Sequence, residues 1–223
     1  MAVVNASVSD ITADVALATS KPKIKDNFDD LLANDVAIEA RETVLEGGSF
    51  VGASRWDDII VPCNALIGGA SAPDLTTFQG TIQLYTFDGG STTEEVMGVI
   101  ELPHDYKEGT DLRPHIHWSP SNTAGGNVKW QLTYTRASKD GTFPATSTIS
   151  VTAAVGTTAL VHLANEFTVI TGTGFKIGDI IAFRLFRDPT DVADTYGSDA
   201  FLLSLGIHYK VDSTGSVNVF TKT

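Results

Sequence analysis

Val128, Trp130, Leu132 and Tyr134 fall on alternate positions of NVKWQLTYTR, with Lys129, Gln131, Thr133 and Thr135 between them. Side chains two apart on a strand share a face, so this period predicts a half-buried antiparallel strand. Similar short apolar runs recur after Gly48: DDIIVP, GTIQLYTF, VMGVIEL, DLRPHIHW, TSTISVTA, ALVHLANEFTVI, DIIAFRLFR, DAFLLSLGIHYKV and SVNVFTK. Clusters of Gly, Asn, Asp and Pro separate them, and FDGGST, TAGGNV and SKDGTF carry hairpin or loop signals. Many short strands without interleaved helices predict a mainly β chain, an antiparallel jelly-roll-like β-sandwich over residues 49–223.

The pattern differs before Gly48. Residues 1–20 are small and polar without sustained period and read as an arm ordered by contact with something else. From Lys21 to Glu46, Ile24, Phe28, Leu31, Leu32, Asp35 and Ile38 recur at steps of three and four, the spacing of one helix face. Ser20 suits an N-cap, Pro22 the first turn, and Gly47-Gly48 the stop. Residues 1–48 are thus expected to be an arm and one helix, whose apolar face docks on the sandwich or on another molecule.

Composition narrows the function. Fifteen basic against 27 acidic residues give a net charge of −12, which repels nucleic-acid phosphate. No apolar segment is long enough for a membrane-spanning helix, and the first residues lack the pattern of a secretion signal, so cytoplasmic synthesis is expected. The single cysteine, Cys63, excludes an internal disulfide and is expected to be a small buried apolar residue.

Candidate chemistry centres on GTDLRPHIHW, where His115 and His117 would point the same way from one strand. A glycine, five residues and His-x-His begins the first cupin metal motif, and His208 in LSLGIHYKV could supply a later ligand. The glutamate that should follow the second histidine is missing; residues 118–122 are Trp, Ser, Pro, Ser and Asn. The pair therefore reads first as structural, at a subunit contact or partly exposed, with no cofactor expected. A cupin-like metal enzyme using His115, His117 and His208 stands as an alternative. Asp188, Asp191, Asp194 and Asp199 lie close enough to suggest a Ca²⁺ loop, yet lack the EF-hand glycine and glutamate and read as a solvated loop. TGTGFKIG reads as a hairpin loop, and Glu94-Glu95 and Asp57-Asp58 as neighbours pointing apart.

DLRPHIHWSP followed by VKWQLTYTR, the closing DTYGSDAFLLSLGIHYKVDSTGS, and the leader KPKIKDNFDDLLAND resemble virion proteins of tailed bacteriophages that decorate heads or form short fibres and tail appendages. The ending VNVFTKT departs from the acidic, lysine-terminated pattern of that group. The resemblance implies a homotrimeric, non-enzymatic jelly roll in the virion, with capsid or tail proteins as partners. It implies an anchor through Ile24, Phe28, Leu31, Leu32 and Ile38. An alternative within the same fold is a receptor-binding fibre tip or needle knob that stacks Trp56, Tyr106 or Tyr196 on a host-surface glycan.

Overall fold

The computed structural model describes residues 25–38 and 54–222, which fall into two compact units, each taken by itself. In the first unit residues 25–38 form a helix, α1, as the three-and-four spacing predicts. Its Phe28, Leu31, Leu32, Val36 and Ile38 are all more than half exposed. Ile24 and the proposed N-cap lie outside the described residues. No helix among the described residues is long and apolar enough to cross a membrane.

The second unit is the expected antiparallel β-sandwich. Six strands form its larger sheet: β1 (Arg55–Pro62), β3 (Asp74–Gln79), β4 (Ile82–Phe87), β6 (Arg113–Pro120), β9 (Leu163–Glu166) and β11 (Ala200–Val211). Their order is β3-β4-β11-β6-β9, with β1 also on β11. The smaller sheet, in order β2-β5-β10-β7-β8, comprises β2 (Ile67–Gly68), β5 (Glu94–Glu101), β7 (Asn127–Ala137), β8 (Ser147–Ala154) and β10 (Ile180–Arg187).

Alternation dictates the core. Ile116 and Trp118 of β6 face Val128, Trp130 and Leu132 of β7 across the sandwich. The two indoles lie 6.0 Å apart, edge to face, and Phe87 packs on Trp130 at 5.1 Å. Trp118 donates to the Asn165 side chain at 2.8 Å, so its buried N–H is satisfied.

Several expected elements differ. FDGGST and TAGGNV carry the chain from one sheet to the other, because β4 and β6 belong to the larger sheet and β5 and β7 to the smaller; only SKDGTF joins two paired strands. DLTTFQ, too polar to stand out, forms β3 on β4. ALVHLANEFTVI yields only the four-residue β9. SVNVFTK forms no strand; its Lys222 instead bonds Asp212 at 2.7 Å and the Tyr106 carbonyl at 2.9 Å.

Candidate functional site

Because Ile116 and Trp118 point into the core, Arg113, His115 and His117 of β6 must point away from it. Antiparallel register then brings partners from three other strands to the same outer face. His115 lies opposite Gly206 of β11 and Glu166 of β9, while Gly206 lies opposite Ile60 and His208 opposite Asp58 of β1. Four of the chain's five histidines meet here.

The rings of His115 and His208 stack, with centroids 4.1 Å apart and planes 18° apart. His115 Nε2 stands 3.5 Å from an oxygen of Asp58, and its Nδ1 is 3.5 Å from the Arg113 carbonyl. His117 turns to His162, Nδ1 to Nε2 at 2.7 Å. Partial burial, reinforced by the neighbouring His115 and His162, pushes the His117 pKa below the ordinary imidazole value. Arg113 and Glu166 flank the cluster at 3.5 Å.

The expected trio His115, His117 and His208 is therefore rearranged. His115 and His208 converge with Asp58, their ligand atoms within 4.8 Å of one another, while His117 pairs with His162. The face is the outside of a sheet, where a cupin would need the interior of a barrel. Asp58 and His162 escape a local reading because the pairing of β1 with β11 and of β9 with β6, which brings them to this face, has no local signature.

On the same face, Trp56 at one end of β1 is half exposed, with the Lys210 ammonium 4.9 Å and the Arg113 guanidinium 5.5 Å from its ring centre. Ser54, Lys107 and Asp111 complete a shallow groove around it. The other two aromatics expected to stack on sugars are internal. Tyr106 is fully buried and donates to the Thr110 carbonyl, and Tyr196 is buried with its hydroxyl accepting from the Asn122 amide at 3.0 Å.

The acidic loop is not the solvated set its spacing implied. Asp194 is clamped by Arg187, Asp191 holds Lys129, Asp188 accepts from Thr190, and Asp199 accepts from the Gly89 amide. Cys63 is buried, which raises its thiol pKa, as expected of a packing residue. Glu94 and Glu95 diverge: Glu94 accepts from the Asp88 amide at 2.7 Å, and Glu95 pairs with Arg184.

No family model and no curated protein matches the chain. Among solved structures it is similar to the CBM36-1 domain of a multidomain xylanase from the hindgut metagenome of Trinervitermes trinervoides, at 14% identity and TM-score 0.36, over 68% of this chain and 96% of that one. CBM35 from Cellvibrio japonicus Abf62 follows at 12% and 0.34, over 70% and 99%. The CBM22-1 xylan-binding domain from Paenibacillus barcinonensis Xyn10C gives 11% and 0.35, over 73% and 100%. At such scores function has to be read from this chain's own residues.

Proposed function

We propose that the protein is a non-enzymatic structural subunit of a tailed-phage virion, a decoration, cement or short-appendage protein that presents the sandwich outward and assembles through its N-terminal segment. The observation that carries this reading is the helix 25–38, whose Phe28, Leu31, Leu32, Val36 and Ile38 form an exposed apolar stripe. A stripe of that length on a soluble chain calls for a covering surface, and a second and third copy of the helix would provide one. The resemblance of the β6–β7 and C-terminal segments to phage virion proteins supports the same reading, with a homotrimer as its natural form.

Two measurements test it. Light scattering of the full-length chain should give a multiple of 23.7 kDa, and Leu31→Asp with Leu32→Asp should lower that multiple. In density-purified particles of the encoding phage, peptides of the chain should be present. A monomeric full-length protein absent from particles overturns the proposal.

A second reading, a saccharide-binding face, is favoured by Trp56. An exposed indole flanked by Lys210 and Arg113 suits stacking against a sugar ring that carries a carboxylate. Titration with acidic and neutral oligosaccharides at millimolar concentration, read by intrinsic fluorescence, tests it. Binding that disappears in Trp56→Ala supports the reading, and no response to any sugar removes it.

A further inference from the structure

We propose that Asp58, His115 and His208 form a binding site for a divalent transition-metal ion of the zinc class, held on the outer face of the larger sheet. Each donor comes from a different strand, β1, β6 and β11, and strand pairing alone sets them side by side. Their three ligand atoms lie within 4.8 Å of one another, and His115 Nε2 is 3.5 Å from Asp58 Oδ2. That separation is long for a hydrogen bond, but donors at opposite ends of a tetrahedral edge around zinc stand about 3.3 Å apart, given bonds of about 2.0 Å.

Three further features point to a ligand. The second oxygen of Asp58, Oδ1, is buried with no hydrogen-bond partner, an unpaired acceptor that a cation would satisfy. His115 is almost fully buried although it lies on the outward face, because Gly206 leaves room for its ring. A Cβ at that position would sit 2.2 Å from His115 Nε2 and 3.1 Å from Asp58 Oδ1. The Arg113 carbonyl lies 3.5 Å from His115 Nδ1, so Nε2 is the ring nitrogen turned toward Asp58.

One rearrangement is required. Stacked imidazoles direct their lone pairs along parallel planes, so His208 must turn out of its stack for its nitrogen to converge with the other two. Its ring lies at a partly exposed position, stacked on His115 alone among the aromatic contacts of the described residues. Two imidazoles and one carboxylate select zinc, cobalt, nickel or copper over calcium and magnesium, and water fills the fourth position. The bound ion would tie the peripheral strand β1, which pairs only with β11, to the middle of the sheet.

The test uses full-length protein without a histidine tag, stripped with chelator and titrated with Zn²⁺ by calorimetry and with Co²⁺ by visible absorption. Expected are one equivalent of Zn²⁺ bound below about 100 µM, a cobalt spectrum of tetrahedral type, and a higher melting temperature with metal. Asp58→Asn and His208→Gln, both at partly exposed positions, should each weaken binding by about tenfold or more, whereas His162→Gln should leave it unchanged. No binding in that range overturns the site, as does affinity retained in both variants. Loss of binding in His162→Gln alone would move the metal to the His117–His162 pair and overturn this assignment as well. If Asp58→Asn folds with unaltered stability and binds no metal, the alternative of a simple His115–Asp58 ion pair is removed.

Discussion

Arg187 and Asp194 form a two-pronged ion pair inside the protein: Nη2 to Oδ1 and Nε to Oδ2 are both 2.9 Å, and both side chains are essentially without solvent contact. The guanidinium also donates to the carbonyls of Phe87, Ser198 and Tyr196, and thereby ties the end of β10 to β4 and to the loop before β11. Asp194→Ala leaves a buried cation with only carbonyls, and we expect a loss of about 3–5 kcal/mol in urea unfolding. Replacing both residues by apolar ones should not restore stability, because the three carbonyls would then be orphaned.

Glu94 is buried, and desolvation pushes its pKa up to about 7, with Asp88, Asp74 and Asp199 adding repulsion. The folded state therefore holds a proton that the unfolded chain releases near the ordinary glutamate value. Stability from this group is present below about pH 4.5, falls as pH rises toward 7, and is flat above it. Glu94→Gln keeps an acceptor for the Asp88 amide and should stabilise the protein by about 1–3 kcal/mol at pH 8 while changing little near pH 4.5. Unfolding curves at the two pH values check the difference.

Gly172 passes against the backbone of residue 110. A methyl group there would stand 1.8 Å from the Thr110 carbonyl oxygen, which unlike a side chain cannot swing aside. Gly172→Ala should cost about 2 kcal/mol or more, measurable as a lowered melting temperature.

The three tryptophans differ sharply in environment: Trp56 is 49% exposed, while Trp118 and Trp130 are fully buried. Acrylamide should quench one emission component and leave a blue-shifted remainder. Trp56→Phe should abolish the quenchable part without altering the unfolding midpoint by more than a small amount.

Local pattern made β7 and α1 legible. Val128, Trp130 and Leu132 do face the core, and Phe28, Leu31 and Leu32 do share one helix, because both facts follow from backbone geometry within a few residues. The same reasoning set His115 and His117 on one face but could not say what else stands there. Asp58 and His208 reach that place only through pairings that span more than ninety residues, and no local period encodes them. Tyr106 and Tyr196, named for sugar stacking only in the alternative reading, lie in the core, where an aromatic is most often found. Tyr106 donates to the Thr110 carbonyl, and the Tyr196 hydroxyl meets both the backbone and the side chain of Asn122, partners that no local pattern reveals. DLTTFQ escaped notice because the strand it forms is mostly exposed at the sheet edge, where composition carries little apolar signal.

The strand that pairs with β1, β4 and β6 alike is β11, the last of the eleven in the sequence. In folding, β1, β4 and β6 all lack this shared neighbour until β11 is in place, although β3 pairs with β4 and β6 with β9 without it. Refolding in vitro should accordingly be slow, since these decisive contacts join the two ends of the β region.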